Sequence, residues 1–106
     1  MLVLDKENFE TEVINREGLV LVDFWGEGCE PCKALMPDFE ALESEYSGKV
    51  VFAKLNTTHE RRLAISQRVL GLPTIVLYKD GARLGECTRD EANVSGIKNM
   101  LLPHIG

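Results

Sequence analysis

Leu19-Val20-Leu21-Val22-Asp23-Phe24-Trp25 is apolar on both of the faces between which an extended chain alternates. Such a strand has to be covered above and below, so it belongs at the centre of a sheet with other elements packed on each side. The rest of the chain supplies that cover. Leu2 to Leu4 reads as a short first strand, and Asp5 caps a helix from about Lys6 to Asn15 that puts Phe9 and Val13 on one face. After the loop Gly26-Glu27-Gly28, a long helix runs from about Cys32 to Tyr46, with Leu35, Phe39, Leu42 and Tyr46 on one stripe. Pro37 lies inside that helix and removes the hydrogen bond to the Lys33 carbonyl, which predicts a kink.

Val50 to Asn56 is again apolar on both faces. Thr57-x-x-Glu60 has the spacing of a capping box and predicts a helix from His59 to about Val69. Gly71-Leu72-Pro73 reads as a loop and Thr74 to Tyr78 as a fourth strand. Asp80-Gly81 is a two-residue hairpin turn into a fifth strand, Ala82 to Cys87, where Gly85 marks either a bulge or an edge. A second capping box, Thr88-x-x-Glu91, opens a terminal helix with Val94, Ile97 and Leu101 inward. The order β-α-β-α-β-α-β-β-α is that of an α/β fold. Crossovers between the early strands imply parallel pairing, and the hairpin implies an antiparallel edge. The expected architecture is a mixed five-stranded sheet with helices on both faces, built as one domain from the 106 residues.

Charge narrows the function. Twelve Lys and Arg against seventeen Asp and Glu give a net charge of −5, and the densest basic cluster is only Arg61-Arg62. Phosphate-backbone binding needs a basic face, so nucleic acid is not an expected partner. The N-terminus meets charge after four residues and has no signal-peptide core, and the Leu19–Trp25 run is too short to cross a bilayer. The expectation is a cytoplasmic protein with no membrane partner.

Two of the three cysteines are spaced Cys29-Glu30-Pro31-Cys32, where a buried strand and a short loop give way to a helix. Pro31 suits a first helical turn, where its missing N–H is not needed. Cys29 then sits at the helix N-terminus, whose unpaired N–H groups favour a thiolate, with Cys32 within one turn of it. Their Cα atoms can approach to about 5–6 Å, which a disulfide requires. That is machinery for dithiol–disulfide exchange. Half of a zinc site is the competing reading, but zinc wants four ligands, and Cys87, His59 and His104 are scattered. No metal is expected. An accidental pair of free thiols is the other alternative.

These residues, together with Val22-Asp23-Phe24-Trp25, Pro37, Lys54-Leu55-Asn56, Gly71-Leu72-Pro73-Thr74 and Tyr78-Lys79-Asp80-Gly81, resemble the thioredoxin family over essentially the whole chain. The resemblance implies the thioredoxin fold and a protein-disulfide reductase that needs no bound cofactor, because the electrons reside in the sulfurs. It implies Cys29 as nucleophile and Cys32 as resolving thiol. Asp23, a carboxylate inside an apolar strand, is expensive and its pKa should rise. It either forms a buried salt bridge, with Lys54 the available partner, or moves the Cys32 proton as the resemblance implies. Pro73 is implied to be cis and to wall the site, with Leu72 offering its backbone to an extended target. Trp25, Gly28, Glu30, Pro31, Thr74 and Arg89 complete the implied contact surface. The implied partners are a thioredoxin reductase and disulfide-containing proteins, met by a monomer.

The chain also departs from the family. Gly28 stands where a tryptophan usually precedes the first cysteine, and Glu30 places a charge between the sulfurs. A nearby anion disfavours the Cys29 thiolate and makes the couple more reducing, though solvent screens an exposed Glu. Arg89 replaces the usual glycine and makes that rim bulkier and more polar. These changes predict altered partner choice with the chemistry kept. Gly-Cys-x-Pro-Cys sites resemble those of thioredoxins from amino-acid-fermenting anaerobes, which implies selenoenzymes of the glycine-reductase type as partners. Cys87 reads as a small buried hydrophobe, with a regulatory or dimerising thiol as the alternative. His59 and His104 read as surface residues. Competing functions are a binding module with incidental cysteines, and a disulfide oxidant or isomerase.

Overall fold

A computed structural model describes residues 1–105. The strands are β1 (Leu2–Leu4), β2 (Leu19–Trp25), β3 (Val51–Asn56), β4 (Thr74–Lys79) and β5 (Ala82–Thr88), in the sheet order β1-β3-β2-β4-β5. The run that is apolar on both faces takes the central place. β1, β3 and β2 are mutually parallel neighbours, whereas β4 runs antiparallel to both β2 and β5. The crossover from β3 to β4 thus differs from the parallel connections before it. β3 ends at Asn56 beside Trp25 and β4 begins at Thr74 opposite Phe24, so the connection stays at one end of the sheet and β4 must run back.

The helices α1 (Glu30–Glu45), α2 (Arg61–Ser66) and α3 (Val94–Leu101) cover both faces. Leu21, Phe52, Ile75 and Leu77 meet Leu35, Phe39 and Leu42 of α1 and Ile97 and Leu101 of α3 in one core layer. Phe39 and Phe52 pack at 4.9 Å between ring centroids. Val20, Val22, Phe24, Ala53, Leu55, Val76 and Tyr78 meet Phe9, Val13 and Ala64 on the other face. Side chains two apart share a face of a strand. Asp23 therefore falls with Leu21 on the α1 face, beside Lys54, its register partner in β3.

Several expected boundaries move. The first helix contracts to a π-helical segment, Glu10–Ile14, after turns at Lys6–Asn8; Phe9 and Val13 are buried as the pattern requires. Asp5 does cap that start, accepting from the backbone N–H of Glu7 and Asn8. α1 starts at Glu30, with Cys29 as its cap, and continues through Pro37. Neither capping box forms. Thr57 donates its hydroxyl to the Trp25 carbonyl and Glu60 accepts from the backbone N–H of Lys6, so α2 begins only at Arg61 and ends at Ser66. Thr88 shares a hydroxyl contact with Thr74, and α3 is capped instead by Asn93, whose Oδ1 accepts from Gly96 N at 2.8 Å. The hairpin turn stands where Asp80-Gly81 put it, both residues at positive φ. β5 is an edge strand and also carries a register shift, opposite Leu77 and Tyr78.

Candidate active site

The loop after β2 delivers Cys29 to the start of α1. Its backbone is extended, with φ −99° and ψ 103°, the geometry of a helix cap. The Cys29 sulfur accepts from Cys32 N at 3.2 Å, doing what a serine or aspartate oxygen does at other helix starts. Pro31 occupies the first turn. Cys29 and Cys32 are joined as a disulfide with their Cα atoms 5.3 Å apart, within the expected span. Their environments differ. Cys29 is half-buried at the rim, while Cys32 is 1% exposed under the helix. When the bond is reduced, helix-terminal N–H groups and dipole favour the anion at Cys29, and burial disfavours it at Cys32.

On the face of β2 that α1 covers lies Asp23, 0% exposed, with neither carboxylate oxygen hydrogen-bonded among the described residues. Burial pushes its pKa up to about 7, against a smaller opposing pull from the Lys54 ammonium. Lys54 acts from the adjacent register position through charge; the salt bridge considered from sequence is not formed. Trp25, two residues along the same strand face, shares a cleft of about 160 Å³ with Cys32, Lys33, Met36 and Lys54. A carboxyl group with a pKa near neutral is chemically able to accept or return a proton.

The loop before β4 packs against the loop that carries Cys29. Leu72-Pro73 is cis, Pro73 is buried and Leu72 is half-buried. Leu72 approaches the cysteine loop so closely that a Cβ on Gly26 would lie 2.9 Å from its Cδ1, and a side chain there would have to displace the tip of the leucine. Thr74, expected in the contact surface, is 1% exposed and donates its hydroxyl to the Gly71 carbonyl at 2.6 Å. Its side chain braces the loop from inside. Arg89 reaches the same loop from the end of β5, its N–H donating to the Pro73 carbonyl at 2.8 Å. Gly28, Glu30 and Pro31 lie exposed around Cys29. A Cβ on Gly28 would meet nothing within 4 Å, so the site is open on that side. The Glu30 carboxylate has Lys33 3.4 Å away on the next turn.

One cluster escaped the sequence reading. Glu27 accepts from Asn56 Nδ2 at 3.0 Å and pairs with His59 Nε2 at 2.8 Å, and its own N–H donates to the Thr58 hydroxyl. These hydrogen bonds hold its carboxyl below the ordinary value. They tie the cysteine loop to the end of β3. His59 is thus a surface residue with a partner, and sequence separations of 29 to 32 residues gave no sign of it. Cys87 is 6% exposed in the core layer under α1 and α3, and burial pushes its thiol pKa up, which fits the structural reading over a reactive one. Among the described residues, neither Cys87 nor a histidine joins Cys29 and Cys32 in a metal-ligand cluster.

The thioredoxin family model matches residues 1–101. A thioredoxin of Acetoanaerobium sticklandii is 54% identical over 105 residues, covering 99% of this chain and 100% of that one. A thioredoxin of Peptoclostridium acidaminophilum is 53% identical over 106 residues, 100% of this chain and 96% of that one. Thioredoxin C-2 of Corynebacterium nephridii is 41% identical over 75 residues, 71% and 69% of the two chains.

Proposed function

This chain belongs to the thioredoxin family and is a thiol–disulfide oxidoreductase with protein-disulfide reductase activity, and from that premise we infer how its residues divide the work. Cys29, as thiolate, attacks one sulfur of a target disulfide. A Cys29–target bond forms, and the other target sulfur leaves as a thiolate that takes a proton from solvent. Asp23 then accepts the Cys32 proton, directly or through water. The Cys32 thiolate attacks the Cys29 sulfur, closes the Cys29–Cys32 disulfide and expels the second target thiolate, to which the proton returns. Two electrons have passed from protein to target, and the spent disulfide takes two electrons and one proton to recover the Cys29 thiolate and the Cys32 thiol.

The observation that carries this reading is the asymmetry of the pair: a half-buried sulfur at a helix cap joined to a fully buried one, with a buried carboxyl, unpartnered among the described residues, on the strand face that the helix covers. Pro73 and Trp25 serve as walls. The Leu72 backbone pairs with an extended target segment, which also lies across Gly28, Glu30, Pro31 and Arg89, and Thr74 holds that loop from within.

Family membership implies interaction with a reductase and with disulfide-bearing substrates. The finer assignments are a dedicated thioredoxin reductase as donor and selenoenzyme amino-acid reductases of the glycine-reductase type among the acceptors. The Gly28-Cys29-Glu30-Pro31-Cys32 site supports them through its resemblance to thioredoxins of amino-acid-fermenting anaerobes. Among the described residues, no helix is long and apolar enough to cross a membrane. We assign the chain to the cytoplasm as a monomer.

Trapping tests the division of labour. Cys32→Ser, mixed with a disulfide-containing protein such as insulin, should accumulate a covalent adduct that reductant releases, and Cys29→Ser should not. Adduct formation by Cys29→Ser alone would reverse the two roles.

A further inference from the structure

Arg89 carries a conformation that its residue type does not favour. Its φ is +54°, in the left-handed region that glycine enters freely and a side chain enters at a cost. Such outliers persist where the surroundings fix them, and here both ends of the residue are held. The backbone N–H donates to Pro73. The side chain lies on Gly71, where an added Cβ would meet Nε, Cζ and Nη2 at 2.6, 2.7 and 2.7 Å. Near-equal distances to three atoms of a planar group mean that the guanidinium rests face-on against that glycine. Its face is covered and its N–H edge is left over. Arg89 is exposed, and among the described residues no oxygen accepts from that edge and no carboxylate pairs with it. The acidic groups around Cys29 are engaged elsewhere, Glu27 with His59 and Glu30 with Lys33.

We propose that Arg89 is a specificity-determining residue that selects targets bearing a carboxylate next to the disulfide to be reduced. This rests on the reading above, in which an extended target segment pairs with Leu72. The seated guanidinium is one residue from that backbone, and a flat cation offering paired donors edgewise matches a carboxylate in a two-point contact. Seating it on Gly71 in advance removes side-chain freedom that binding would otherwise have to quench.

The test uses the pre-reduced protein and two disulfide-looped peptides that differ only in Glu or Lys at both positions flanking one half-cystine. Single-turnover rate constants are each divided by the rate constant with dithiothreitol, so that the peptide's own reactivity cancels. The wild type should favour the Glu peptide by about threefold to tenfold, less at high salt. Arg89→Gln should abolish the preference. So should Arg89→Gly, which suits the positive φ and keeps the fold. A wild-type ratio of one, or a preference that survives both substitutions, would overturn the assignment and leave the oxidoreductase reading in place. Failure of the wild type to reduce either peptide would overturn both.

Discussion

Asp23 sets stability against chemistry. A carboxyl buried without a hydrogen-bonding partner penalises its own ionised form, and the native pKa stands at about 7 against a reference of 3.8. Below the unfolded pKa both states are protonated and the penalty vanishes. Between the two values the unfolded chain ionises while the native one holds its proton, so stability falls as pH rises, and above about pH 7 the loss is complete. Integrated over that window, it amounts to about 4 kcal/mol. Asp23→Asn should therefore stabilise the oxidised protein by about 2–4 kcal/mol at pH 8 and by almost nothing near pH 4, as read by urea unfolding. Equal stabilities of the two proteins at pH 8 would remove the penalty from the account. The same substitution deletes the proton acceptor, and target reduction at pH 7 should slow by roughly tenfold to a hundredfold. Asp23 was legible in the sequence because a carboxylate amid Leu21, Val22 and Phe24 has no innocent explanation. Its freedom from Lys54 was not, since both a contact and a gap satisfy the same register.

At the scale of elements, local patterns spoke truly where no distant group competed for them. The stripe Leu35, Phe39, Leu42 and Tyr46 is buried, and the Asp80-Gly81 turn formed in place. The two Thr-x-x-Glu patterns failed because Thr57, Glu60 and Thr88 found partners on Trp25, Lys6 and Thr74. Nothing within a four-residue window could announce those contacts. Asn93 does the capping that Thr88 was expected to do, and Asn93→Ala should cost about 1 kcal/mol in unfolding measurements. No loss of stability would assign that contact to the surface only. The Glu27 cluster is likewise invisible to local reading, yet it fastens the loop that carries Cys29. In His59→Ala, amide exchange at Glu27, whose N–H is bonded to Thr58, should quicken with global stability little changed. Unchanged exchange would show that the loop holds its place without the pair.

For the whole molecule, the central position of β2 decides the rest. Its C-terminal end gathers the cysteine loop, the end of β3 and the loop before β4, because Trp25 lies opposite Asn56 and Phe24 opposite Thr74. The two-sided run therefore fixed the place of the site as well as the fold class, and Cys29 and Cys32 marked its chemistry. The rim is a different matter. Glu30 projects into solvent with Lys33 nearby, so its charge has little leverage, and Glu30→Gln should raise the potential of the pair by less than about 30 mV.

The potential itself bears on the central claim most directly. The Cys29–Cys32 couple is equilibrated in graded thiol buffers, alkylated and analysed by mass. A general reductant predicts a value near or below about −270 mV, the reference for thioredoxin. A value above roughly −200 mV would mark an oxidant or isomerase and contradict the account.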